Sequence, residues 1–210
     1  MRETSDEELM QQAAAQGPAP LAALFDRHHR RLLAFFVKLG HGRTGGEDLV
    51  QETFLRMLRY AASFRPGAQF VPWMYQIARH AAADAWHARP REEAHDHDAL
   101  DALGATAPDS PERAHGAGEL EARLHRALAR LPRDKRELVL LSRVRQLDTE
   151  DLARLFDCTP TTLRVRLHRS LDELRAHFDA LEHAAHEPAA RRNDVQRNDE
   201  RALTPDAKVN

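Results

Sequence analysis

The sequence predicts an all-α protein built as two small helical domains joined by a flexible acidic linker. Three observations carry that expectation. Apolar residues recur at helical spacing on both sides of residues 90–121, falling on single stripes at about 100° per residue. Charge is dense and blocked: ten Lys/Arg against five Asp/Glu in 20–89, two against nine in 90–121, thirteen against nine in 122–181. Two basic blocks split by an acidic strip suggest two polyanion-binding domains and a linker. The strip itself is rich in proline, glycine and acids and poor in large apolar side chains, which is linker composition. The boundaries follow: an N-terminal segment 1–19, a first domain 20–91, a linker 92–121, a second domain 122–181 and a tail 182–210 expected to be disordered.

Composition excludes several classes. The formal net charge is −2 over 210 residues, so the total says less than its distribution. Cys158 is the single cysteine, so no intrachain disulfide can form, which suits a reducing compartment. No apolar run reaches the roughly 18 residues of a membrane span. The N-terminus is acidic, with Glu3, Asp6, Glu7 and Glu8, unlike a signal peptide. A soluble, cytoplasmic protein without membrane insertion is expected.

The elements follow in order. Ser5 reads as an N-cap with Glu8 at N3, a capping box. Gly17, Pro18, Ala19 and Pro20 end that helix. The next carries Leu21, Leu24, Phe25, Leu32, Phe35, Phe36 and Leu39 as core. His28 and His29 stand among Arg27, Arg30 and Arg31 and read as a solvated face. Gly40, Gly42, Gly45 and Gly46 punctuate the chain before a third helix. Its apolar stripe is Val50, Phe54, Met57, Leu58 and Ala61. Its opposite face carries Asp48, Gln51, Glu52, Arg56 and Arg59 around Leu55. An exposed leucine ringed by charges fits a partner site and equally a leftover surface leucine.

Arg65, Pro66 and Gly67 signal a turn. In the helix after it, Phe70, Trp73, Met74, Ile77, Ala81 and Ala85 form the buried stripe, while Tyr75, Arg79, Trp86 and Arg89 share the far side. Aromatics interleaved with arginines suit single-stranded nucleic acid; the same pattern suits packing under a neighbouring domain. Asp84 lies on the apolar stripe and needs a partner, expected to be an arginine of a neighbouring helix. His95, Asp96, His97 and Asp98 read as a solvated strip rather than a metal tract.

The second domain opens with Leu124, Leu128 and Leu131 before Pro132. Leu138, Val139, Leu141, Val144 and Leu147 follow on a short helix. Asp148 is an N-cap with Glu150 and Asp151 in the first turn; Leu152, Ala153, Leu155 and Phe156 are its core side. Asp157 and Cys158 make a tight turn, with Asp157 suited to the left-handed conformation. Thr159 caps the last helix and Pro160 sits at its first position. Leu163, Leu167, Leu171, Leu174 and Phe178 are buried. Thr161, Thr162, Arg164, Arg166, His168 and Arg169 show on its other sides. This is a helix-turn-helix pattern, with hydroxyls and arginines where a major-groove reader needs them.

Two strings carry a family resemblance. DLVQETFLRML, followed by F-x-x-W-M-Y-x-I-A-R-H-x-x-x-D, resembles region 2 of the sigma-70 family, above all the short extracytoplasmic-function (ECF) sigma factors. LPRDKRELVLLSRV, with LDTEDLARLFDCTPTTLRVRLHRSLDEL, resembles region 4 of the same family. The resemblance covers about 20–89 and 122–178. It implies a region 2 helical bundle and a region 4 helix-turn-helix, acting as a sigma factor that recruits core RNA polymerase and recognises −10 and −35 promoter elements. It implies polymerase contacts at Asp48, Leu49, Gln51, Glu52, Leu55 and Arg59, −10 contacts at Tyr75, Arg79, His80, Trp86 and Arg89, and −35 contacts at Thr161, Thr162, Arg164, Val165, Arg166 and Arg169. The implied partners are core RNA polymerase, at its β′ clamp helices and β flap, and promoter DNA, with an anti-sigma factor as a further option. No catalytic residue, cofactor or metal is expected.

There are departures. The family often has Asn where His80 stands, in a pocket that takes a flipped −10 base. Val165 replaces a common Ser, allowing an apolar contact such as a thymine methyl. The basic run after the −10 helix is thin: Arg89 and Arg91. Two rivals remain at this level. A free-standing helix-turn-helix regulator explains 122–178 but leaves the Leu55 face unused. An all-helical metalloenzyme would use Glu47, Asp48, Glu52 and histidines, but the Glu-x-x-His repeats of paired-helix metal sites are missing.

Overall fold

A computed structural model describes the backbone of residues 4–88, 111–144 and 146–202, and side chains over 4–88, 118–144 and 146–184. Those residues form eight α-helices and no strand. The first four, α1 (Asp6–Gln16), α2 (Leu21–Phe36), α3 (Gly42–Arg59) and α4 (Phe70–Ala88), make the first bundle. The second is α5 (Pro111–Arg130), α6 (Arg133–Leu141), α7 (Thr149–Leu155) and α8 (Pro160–Ala202).

Local chemistry sets most helix ends. The Ser5 hydroxyl accepts from the Glu8 amide at 3.2 Å, and the Glu8 carboxylate accepts from the Ser5 amide at 2.9 Å. Asp148 and Asp151 repeat this arrangement at the start of α7. Each cap is worth about 1 kcal/mol. Asp157 takes the left-handed conformation at φ 47° between α7 and α8. The Thr159 hydroxyl accepts from the Thr162 amide at 3.2 Å and so caps α8, which starts at Pro160. The turn at 65–68 is closed by Ala68 N–H donating to Arg65 C=O at 3.0 Å, with Pro66 at its second position and Gly67 at φ 82° in its third.

Several expectations change. A π-type turn over Val37–His41, with Gly40 at φ 104°, joins α2 to an α3 that starts at Gly42. The buried arc of α3 is rotated from the expected stripe. Thr53 is fully buried, and its hydroxyl is satisfied by donating to the Leu49 carbonyl at 2.7 Å. The arc therefore turns towards Thr53, taking Leu49 into the core and leaving Leu58 exposed. His28 is buried, not solvated: α1 lies over α2 and brings Asp6 Oδ2 to 2.7 Å from His28 Nε2. The linker expected over 92–121 is helical from Pro111 onward, and the tail expected to be disordered continues α8 to Ala202. Alanines and arginines flank Pro188 in 184–192; they favour helix while the proline opposes it. The His95 to Asp98 tract lies outside the described residues.

The two bundles touch. Arg136 of α6 donates from Nη1 to the Leu39 carbonyl at 3.1 Å and from Nη2 to the Leu131 carbonyl at 3.0 Å. Burial, then the nearby Arg133, lowers the pKa of Arg136. Gly40 makes this approach feasible, since a Cβ there would stand 3.0 Å from Arg136 Nη1.

Candidate functional site

Three surfaces carry the expected residues. On α3, Asp48, Gln51, Leu55 and Arg59 are exposed and Glu52 is half-buried. Leu55 is 59 % exposed, a large apolar side chain beside carboxylates. Leu49, expected in this set, is 5 % exposed and belongs to the core. Glu52 is held by Arg56, whose Nε lies 2.6 Å from Glu52 Oε1.

On α4 the picture is divided. His80 is exposed and lines a small pocket with Arg56, Tyr60, Ile77, Ala83 and Asp84. Asp84 has the expected arginine partner, Arg56 Nη1 at 2.6 Å, yet its side chain is 64 % exposed rather than buried. Hydrogen bonds to Glu52 and Asp84 raise the Arg56 pKa. Tyr75 is not on the surface. It is 2 % exposed, lies edge-on to Phe35 with ring centroids 5.5 Å apart, and burial raises its pKa to about 12. The reason is the second bundle, which closes over this side of α4. Tyr75 lines an interdomain cavity with Leu128, Val139 and Leu140.

Arg79 and Trp86 meet the same neighbour. Arg79 donates to the Leu155 carbonyl and lies 3.1 Å (Nε) from Glu137 Oε1. Its guanidinium carbon is 4.2 Å from the Phe156 ring centroid, a cation–π distance. Arg133 lies 5.4 Å from the Trp86 ring centroid. The packing alternative for this face is therefore realised in this conformation. Arg89 lies outside the described residues. Beside this contact, Gly67, Ala68, Gln69, Pro72, Trp73 and Gln76 line a cleft that Asp151, Arg154 and Leu155 of the second bundle close on its other side.

The third surface is bare. Thr161, Thr162, Arg164, Val165, Arg166 and Arg169 of α8 are all exposed, and Val165 is 46 % exposed despite being apolar. Leu163 packs inward and is fully buried. Two features escaped the sequence reading: the Arg136 staple, and Glu137, whose buried carboxylate serves the other bundle. Only the docked arrangement marks them. Among the described residues no group of three or more His, Cys, Asp or Glu side chains could hold a metal, and no helix is long and apolar enough to cross a membrane.

Known proteins share this architecture. The family model for sigma-70 region 2 matches residues 24–92, and that for sigma-70 region 4 matches 121–174. The RNA polymerase sigma factor CarQ of Myxococcus xanthus is 33 % identical over 160 residues, covering 76 % of this chain and 89 % of CarQ. The ECF RNA polymerase sigma factor EcfG of Rhodopseudomonas palustris is 32 % identical over 146 residues, covering 69 % of this chain and 77 % of that protein. Among solved structures, CnrH in complex with the cytosolic domain of CnrY superposes with a TM-score of 0.62 at 22 % identity, covering 83 % of this chain and 97 % of CnrH. The sigma factor RpoE of Bartonella quintana, in complex with the anti-sigma factor NepR, gives 0.59 at 24 % identity, covering 76 % and 96 %. With both regions present in order on this fold, the chain belongs to the sigma-70 family of RNA polymerase sigma factors, in its extracytoplasmic-function group.

Proposed function

We propose that this sigma factor binds core RNA polymerase through the Leu55 face of α3, captures the −10 strand with α4 and reads the −35 element with α8. It performs no chemistry of its own and works in the cytoplasm. The observation that carries the reading is the bare N-terminal half of α8, where two hydroxyls, three arginines and an exposed valine share one short helical surface. Such a surface fits a major groove, where arginine reads guanine and apolar groups meet the thymine methyl. The Leu55 face suits the β′ clamp helices, and the second bundle suits the β flap. CnrH and RpoE are each held by a protein partner, which supports an anti-sigma factor as a third partner here. A free-standing regulator explains only α8 and leaves Leu55 without a purpose.

Transcription of a cognate promoter by core polymerase, with and without this chain, is the primary test. Alanine at Arg164, Arg166 or Arg169 should cost about 1–3 kcal/mol at one position at least and relax preference at a single −35 base pair. Equal losses on every sequence would reduce these arginines to phosphate contacts. His80→Ala should impair promoter opening more than duplex binding, because an unpaired base entering the His80 pocket is paid for by unstacking. Permanganate footprinting showing normal melting in that variant would remove His80 from the −10 site.

A further inference from the structure

α4 begins without a good cap of its own. The residue before Phe70 is Gln69, outside the Ser, Thr, Asp and Asn group that caps well. The first turn nevertheless has amides to satisfy, and Pro72 supplies none. The Phe70 amide donates instead to Glu7 Oε1 at 3.1 Å, a carboxylate 63 positions earlier in the chain. A negative charge there also suits the helix dipole.

Glu7 is itself held in place. Its neighbour Asp6 lies 2.6 Å from Arg27 Nη1 and 2.7 Å from His28 Nε2, both on α2. The His28 ring stands 5.2 Å from the Phe70 ring, so α1 reaches the start of α4 by two routes. Phe64, at the entry to the loop, packs on Phe70 and Trp73 at 6.5 and 5.1 Å. The loop between Phe64 and Phe70 forms one wall of the cleft beside Trp73. The carboxylate that caps α4 therefore comes from a helix that lies ahead of the region 2 match, which starts at residue 24.

We infer that Glu7 is a positioning residue for promoter opening: as a remote N-cap of α4, it fixes the start of that helix and the loop that precedes it. The inference rests on α4 acting as the −10 reader. Glu7 touches no DNA in this scheme; it sets where the loop and the first turn of α4 stand when the strand arrives.

The test uses the full chain with core polymerase and a promoter carrying 2-aminopurine in the −10 element. Glu7→Ala should lower the equilibrium extent of opening about tenfold, equivalent to about 1.4 kcal/mol and within the range for a lost cap. Core affinity and −35 duplex affinity should stay within twofold of wild type. Glu7→Gln, which keeps the acceptor oxygen, should recover most of the opening. Glu7→Asp, one methylene shorter, should behave like Ala. Equal losses of opening, core binding and −35 binding in Glu7→Ala would reduce Glu7 to a general stabiliser and overturn the inference, as would wild-type opening in that variant. His80→Ala in the same assay separates the two readings. Loss of opening in His80→Ala with none in Glu7→Ala sinks the positioning role alone, whereas normal opening in both sinks the −10 assignment beneath it.

Discussion

Leu55→Glu should weaken binding to core RNA polymerase by more than about 2 kcal/mol, roughly thirtyfold, while the protein stays folded. Leu55 is well exposed, so replacing it removes little buried surface and creates no cavity. It sits one helical turn from Gln51 and among Asp48, Glu52 and Arg59, so a partner must bring an apolar pocket with a basic rim. Hot spots are side chains of this type, surrounded by polar neighbours that exclude water once the partner is seated. A glutamate there adds a desolvated charge and a third carboxylate to the face that already carries Asp48 and Glu52. The control is Leu49→Glu. Leu49 is buried in the core, so that variant should lose the fold itself, because an ionised carboxylate cannot be buried without a partner. A pull-down titration with unchanged affinity in Leu55→Glu would remove this face from the polymerase contact.

What was legible in the sequence divides along physical lines. Caps and turns depend on residues close in the chain, so Ser5 with Glu8, Asp148, Asp157, and Thr159 with Pro160 could all be read directly. The direction of the inward row of α8 was legible, but of its five members only Leu163 is buried, while Leu167, Leu171, Leu174 and Phe178 are half-buried. Residues on helices packed on two sides were not legible. A helical wheel shows an apolar stripe but not its width, so it sets Tyr75 on the far side, and the resemblance sets Leu49 among the polymerase contacts, while the protein buries both. His28 was misread because its partner, Asp6, lies 22 positions away. For α4 the pattern of rings and arginines was visible, but which neighbour takes it was not. Asp84 shows the middle case, with its arginine foreseen and its exposure missed. The −35 candidates are all exposed, because none of the described residues packs over that surface.

The free chain should bind a −10 single strand poorly, and Glu137→Ala combined with Phe156→Ala should raise that affinity about tenfold, or about 1.4 kcal/mol. The argument starts from Arg79. Its guanidinium is occupied by the Leu155 carbonyl, the Glu137 carboxylate and the Phe156 ring, all of the second bundle. Trp86 has Arg133 over one face of its ring, so a base stacking on that face must displace it. A strand of DNA must break these contacts before it gains its own, and that cost is subtracted from its affinity. Removing Glu137 and Phe156 takes away two of the three competitors of Arg79. The −35 helix predicts the opposite behaviour: its reading face is open, so −35 duplex affinity should be the same in wild type and double variant. That second measurement also shows that α6, α7 and α8 remain folded. Among the described residues, the contacts between the bundles mask the −10 side and leave the −35 face of α8 exposed. Core polymerase should do what the double variant does, by holding the bundles apart on a fixed scaffold and so raising the effective concentration of each reader at its own element. Fluorescence anisotropy with a labelled −10 oligonucleotide, for the free wild type, the free double variant and the polymerase-bound wild type, should give three rising affinities. Free wild type binding as tightly as the polymerase-bound form would mean that the docked bundles do not restrain the −10 reader at all.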